Sequence, residues 1–215
     1  VPLNITYIEK IMSLILFYDT ETTGLPIFKE PSNHHGQPNI VQLAAALVDP
    51  ETRKTVSSMD VIIKPDGWTI PKEATAIHGI SQEFALDVGI GLNEVIDMFL
   101  SLWDRRLRIA HNELFDAQIL GISQRKLGYF TDSDLELWEY GTSECTQKMA
   151  TSVLKLPPTS KMISKGLIHQ FKSANLRESY HHFFGHDFEN AHSAMADVNA
   201  CIAVYFAIKD LEKQQ

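Results

Sequence analysis

The stretch Leu14-Ile15-Leu16-Phe17-Tyr18-Asp19-Thr20-Glu21-Thr22-Thr23-Gly24 governs the reading of this chain. Its apolar opening, rich in strand formers, predicts a buried strand over residues 14–19. Side chains alternate across a strand, so Asp19 and Glu21 are expected to point the same way at its end. Two carboxylates held close repel, and one takes up a proton unless a cation lies between them. Hard divalent cations such as Mg²⁺ or Mn²⁺ suit an all-oxygen site. Taken alone, Asp-x-Glu reads more readily as two solvated acids at a strand-to-turn junction.

Two further stretches bear on that choice. His111-Asn112-Glu113-Leu114-Phe115-Asp116 follows a short strand over Leu107–Ala110 and opens a helix to Gly128, with Leu114, Ile119, Ile122 and Leu127 expected at buried positions. Asp116 falls in the first turns, where the helix dipole tolerates negative charge, so an acidic helix start is the plain reading. His192-Ser193-Ala194-Met195-Ala196-Asp197 leads into a helix over residues 193–212. Ala194, Asp197, Cys201, Val204 and Ile208 share one face of it, and Asp197 interrupts an otherwise apolar stripe. A buried carboxylate is costly unless it is paired or bound to metal, although a hydroxyl or backbone amide would also satisfy it. His192 is expected on a loop just before the helix.

In this order and with these neighbours, the three stretches resemble the DEDDh group of the DnaQ-like 3′→5′ exonucleases, which includes polymerase proofreading subunits and ribonuclease T. The resemblance spans residues 13–208. It implies an α/β, ribonuclease H-like fold, with a mixed central β-sheet flanked by α-helices. It also implies two divalent ions, Mg²⁺ or Mn²⁺, held by Asp19, Glu21, Asp116 and Asp197, which with His192 form the catalytic set. Asp19 would bridge both ions, Glu21 and Asp197 would complete the nucleophile-side ion, and Asp116 would serve the other. His192, rather than His111, is the implied general base, a residue type suited to proton transfer near neutral pH. The implied reaction releases nucleoside 5′-monophosphates from the 3′ end of DNA, on single-stranded or frayed ends. Thr20, Thr22, Leu25, Asn112 and Phe115 would hold the terminal nucleotides, with apolar side chains stacking on bases without reading sequence. Each of these also reads as core or turn.

The remaining pattern fits one domain over residues 12–215 behind an N-terminal extension of residues 1–11. A Pro-containing loop covers 25–39, a second strand 40–48 and a third 59–64. A short helix and turn follow over 70–80, and an amphipathic helix over 92–103. Residues 129–174 show little pattern beyond a helix at 146–154 and a break at Pro157-Pro158; another helix covers 176–184 and ends at Gly185. Hydrophobic content of 44% is that of a globular chain with a sizeable core. No apolar run is long enough to span a membrane, and no secretory signal is evident. Two cysteines, Cys145 and Cys201, make neither a disulfide framework nor a zinc spacing, which fits a reducing cytoplasm.

The formal net charge of −8 excludes an ordinary basic DNA-binding module. The charge is unevenly spread. Residues 145–177 hold no Asp or Glu, yet contain Lys148, Lys155, Lys161, Lys165, Lys172 and Arg177. Such a segment can track a nucleic-acid backbone, or it can be solvated surface. Three alternatives to a DNA exonuclease stand beside this reading. One is an RNA 3′→5′ exonuclease. Another is a polymerase-bound proofreading subunit, against which the chain shows no long C-terminal binding segment. The last is a non-catalytic nucleic-acid scaffold, against which all five catalytic positions are filled.

Overall fold

The computed structural model describes residues 13–128 and 131–214. The expected N-terminal extension at residues 1–11 lies outside the described residues. Five strands form one mixed sheet: β1 (Ile15–Thr22), β2 (Ile40–Val48), β3 (Thr55–Ile62), β4 (Arg108–Ala110) and β5 (Ser143–Cys145). Their spatial order is β3-β2-β1-β4-β5. The first three run as an antiparallel meander, and β4 and β5 add in parallel beyond β1.

β1 is central and covered on both faces, which is why it reads as an unbroken apolar run. Leu16 and Tyr18 face one core, with Leu43 and Ala45 of β2. Helices α3 (Leu92–Trp103) and α4 (Glu113–Leu127) close it with Val95, Ile96, Phe99, Ile119 and Leu120. Ile15 and Phe17 face the other core, closed by Ala194, Val198, Cys201, Tyr205 and Phe206 of α9 (Ala194–Glu212). Truncating the fully buried Phe17 to Ala would cost about 3–5 kcal/mol.

The first strand continues three residues beyond its expected end at 19, because β2 pairs with it through Thr22. Glu21 therefore sits within a paired strand rather than after it. A register shift between Glu21 and Thr22 ends the regular ladder. The third strand also differs from 59–64, starting at Thr55 and ending at Ile62. Thr55–Ser58 are exposed and carry Val56 as their one apolar residue, yet their backbone pairs with Val48–Ala46.

Helices α1 (Lys72–His78) and α2 (Gln82–Val88) lie between β3 and α3. The segment that showed little pattern contains α5 (Asp132–Glu139), β5, α6 (Thr146–Leu154) and α7 (Ser160–Ser164). α8 (Leu176–Phe184) ends at Gly185 with φ 76°, a left-handed value that suits glycine. Among the described residues, no helix is long and apolar enough to cross a membrane.

One expected core position is corrected. Leu114 is 70% exposed. The inward face of α4 begins instead with Glu113 and Asp116, three apart, and continues through Ile119, Leu120, Ser123 and Gln124. Polar residues occupy the buried face of the first turn, so the apolar period does not report it.

Candidate active site

The fold brings the three acidic stretches to one end of β1. Asp19 and Glu21 sit two apart on this strand. Asp116 approaches from the first turn of α4, and Asp197 from the first turn of α9. Glu21, His192 and Asp197 each present a ligand atom, all within 4.8 Å of one another. The backbone N–H of His192 donates to Asp197 Oδ2 at 3.3 Å. Asp197 Oδ1 is buried and has no hydrogen-bond partner among the described residues.

The electrostatics are those of like charges crowded in a dry site. Burial pushes the Asp19 carboxyl well above the usual range, and repulsion from Asp116, Asp197 and Glu21 adds to it. Glu21 is pushed up to about 8 by burial, then by Asp197 and Asp116. Burial lifts Asp116 to about 7 against two hydrogen bonds from Thr20. Asp197 is also raised by burial, with His192 pulling the other way. A buried carboxylate oxygen without a donor and four acids driven towards protonation mark a place that lacks positive charge. The donor set, all carboxylate oxygen with one imidazole beside it, fits hard divalent cations such as Mg²⁺ or Mn²⁺.

The two candidate histidines have opposite environments. His192 is exposed, at φ 70°, an unusual conformation for a non-glycine residue. The ring of His111 is tied into the interior: Nε2 is 3.0 Å from the Ala174 carbonyl oxygen and Nδ1 is 3.0 Å from Thr146 Oγ1. The carbonyl can only accept, so Nε2 carries the proton and Nδ1 accepts from the threonine. Burial lowers the imidazole to about 4, so it is neutral at physiological pH. His111 thus joins the end of β4 to α6 and to the segment before α8.

Several contacts hold these residues in place. The amide and hydroxyl of Thr20 both donate to Asp116 Oδ1, at 3.0 and 2.7 Å. Arg108 is buried in β4, where Nε donates to Glu113 Oε1 at 2.9 Å and Nη1 to the Trp138 carbonyl at 2.7 Å. Its guanidinium lies 4.0 Å from the Trp138 ring, and Tyr18 Oη donates to the same Glu113 oxygen at 3.1 Å. This network fixes the start of α4 against β1. In the 25–39 loop, the buried Gln37 side chain accepts from Ile27 N and donates to the carbonyls of Ile27, Glu30 and Pro31. Lys126 then ties the loop to α4 through Gln37 O and Asn39 Oδ1. Outside the three stretches, an arginine in an apolar strand is the sequence signal for the buried network.

The expected nucleotide-holding residues fall into two groups. Thr20 is buried and both its donors are occupied by Asp116, whereas Thr22 Oγ1 donates to the Gly24 carbonyl at 2.8 Å. Leu25 is 77% exposed, and Asn112 is exposed in a left-handed turn at φ 76°, a conformation asparagine tolerates. Phe115 is half-buried against the core beneath α3 and α4.

With this geometry established, the comparisons agree. The family model described as an exonuclease, RNase T, matches residues 16–205. The epsilon subunit of DNA polymerase III from Rickettsia conorii is 31% identical over 166 residues, covering 77% of this chain and 65% of that protein. The corresponding subunit from Escherichia coli is 35% identical over 98 residues, 46% of this chain and 38% of that protein. The chain thus spans less than two thirds of these relatives. Among solved structures, E. coli exonuclease I in complex with a dT13 oligonucleotide superposes with a TM-score of 0.68 at 22% identity, covering 92% of this chain and 41% of that one. That likeness confirms the ribonuclease H-like architecture. The chain belongs to the RNase T-type, DnaQ-like exonuclease family.

Proposed function

We propose that the protein is a metal-dependent 3′→5′ exonuclease that removes nucleoside 5′-monophosphates from single-stranded or frayed DNA ends. The observation that carries this reading is the convergence of Asp19, Glu21, Asp116 and Asp197, with Asp197 Oδ1 left without a donor. Asp19, Glu21, Asp116 and Asp197 would hold two divalent ions. When bound, these supply Lewis-acid stabilisation of the phosphate and acidify the attacking water. The chain's own residues do the rest. Thr20 fixes the Asp116 carboxylate. The His192 imidazole takes the proton of the water at a ring nitrogen, beside Glu21 and Asp197. Leu25, Asn112 and Phe115 border the terminal nucleotide and shield it from water. Thr22, through its turn to Gly24, shapes the loop that presents Leu25.

The test compares a linear oligonucleotide, the same oligonucleotide blocked at its 3′ end, and a covalently closed single-stranded circle. The linear form should be degraded and the other two should persist. Cutting of the circle would show an endonuclease and defeat the proposal. A polymerase-associated role is the second reading, favoured by the epsilon relatives that match most of this chain. Cytoplasmic residence accompanies either reading.

A further inference from the structure

We infer that residues 155–172 form an arm that holds single-stranded nucleic acid upstream of the cleaved bond, an inference that rests on the proposed exonuclease reading. The root of the arm is fixed beside the catalytic residues. Lys172 N donates to Leu156 O at 3.0 Å, which closes the loop on itself. Just beyond, Ala174 N donates to Thr151 Oγ1 at 3.0 Å, and Ala174 O accepts from His111 Nε2. His111 precedes the cap of α4, the helix of Asp116. On its other side, α6 packs Ala150 against Val204 and Ile208 of α9, the helix of Asp197. The arm therefore springs from between the two helices that carry catalytic acids.

Its surface is unlike the rest of the chain. It contains no acid, and its one helical turn, α7, buries no residue. Lys155, Lys161 and Lys165 are exposed and make no ion pair among the described residues. Of the other nearby cations, Lys172 pairs with Glu178 and Arg177 with Asp187, so these two are neutralised locally. Between the lysines, Ile163, Ile168 and Phe171 remain about half exposed. In a chain of net charge −8, a polyanion is repelled by most of the surface and drawn to this segment. A duplex would offer it phosphates alone. A single strand offers phosphates to the lysines and base faces to Phe171, and so matches both features.

The test is binding of a fluorescent oligothymidylate to the full chain across a salt series. The unaltered protein is compared with the triple variant Lys155→Gln, Lys161→Gln, Lys165→Gln, and with Phe171→Ala. Each phosphate contact on a single strand contributes about 0.7 to the log–log salt slope, so the triple variant should lose about 2 units of slope. Raising salt from about 50 to 200 mM should then weaken the parent about 18-fold more than the variant. Phe171→Ala should lower affinity with the slope retained. All replaced residues are exposed, and thermal midpoints report whether folding is intact. An unchanged slope in a folded triple variant overturns the inference. So does a change in oligomeric state without a change in slope, which would make the arm a contact for protein. Hydrolysis of a dinucleotide by the unaltered protein reads the exonuclease proposal separately, because so short a substrate does not need the arm.

Discussion

Both donors of Thr20, its amide at 3.0 Å and its hydroxyl at 2.7 Å, converge on one oxygen of Asp116. A residue next to Asp19 on the central strand thereby orients a carboxylate carried by a helix ninety-six positions later. Groups that orient a metal ligand typically affect metal affinity by 10–100-fold. Thr20→Val, which keeps the shape and removes the hydroxyl, should raise the divalent-ion concentration for half-maximal activity by about 10-fold or more. Thr20→Ser should restore it. Equal metal dependence for both variants would show that the hydroxyl merely fills space.

The acid cluster sets a pH dependence for the metal-free protein. Folding raises Glu21 from the ordinary 4.5 to about 8 and Asp116 from 3.8 to about 7. Between those limits the folded state holds protons that the unfolded chain has released. Stability is therefore full below the ordinary carboxylate range and declines as pH rises through 7 and 8. In chelator, the thermal midpoint should fall steadily from pH 5 to 8.5. Mg²⁺ or Mn²⁺ should reverse most of the fall. A midpoint that rose over this range in chelator would contradict the crowded-carboxylate account.

Removing one of the crowded charges separates stability from activity. Asp19 is raised by burial and by repulsion from all three other acids. Asp19→Asn should abolish turnover, yet raise the metal-free thermal midpoint at pH 8 above that of the parent. A variant that is inactive and also less stable would assign Asp19 a structural role.

The two histidines should behave in opposite ways. His192→Ala should cut the single-turnover rate by about 10²-fold or more with little change in stability, since the side chain is exposed. His111→Ala strands the Ala174 carbonyl, while the Thr146 hydroxyl keeps the Ala110 carbonyl within reach. Leaving a buried group unsatisfied costs about 1–3 kcal/mol, so this variant should lose thermal stability first. Reversed effects would exchange the two roles.

Buried Arg108 should matter for folding rather than for metal. Arg108→Met leaves the buried Glu113 without its cation, and breaking such a pair costs about 3–5 kcal/mol. Replacing both partners with apolar residues should recover much of that loss. A double variant no more stable than Arg108→Met would count against a buried-pair account.

The sequence reveals the candidate site of this protein better than its scaffold, for physical reasons. Asp197 stands out because it is an acid set into an apolar stripe, a placement that carries a cost, whereas Asp19 and Glu21 gain their meaning from the company of the other two stretches. The boundaries of β2, α3 and α8 follow from apolar periodicity and from Pro or Gly at their ends. β5 left no trace, because three residues gain their strand geometry from pairing with β4 and not from their own composition. α5 was hidden for a related reason, since only Trp138 of its residues is buried. Leu114 was misplaced because the inward turn of α4 is built from Glu113 and Asp116. The contact between Thr20 and Asp116 is long-range, and no local pattern encodes it.

The central claim is that this carboxylate cluster, loaded with divalent ions, removes nucleotides one at a time from a 3′ end. The most direct measurement follows one single-stranded DNA labelled either at its 5′ or its 3′ end, with Mg²⁺ or Mn²⁺, and again in excess chelator. The account predicts a ladder of progressively shorter 5′-labelled strands, immediate release of a labelled mononucleotide from the 3′ end, and neither in chelator or with Asp19→Asn. Release of labelled mononucleotide from the 5′ end, or undiminished hydrolysis in excess chelator, would contradict it.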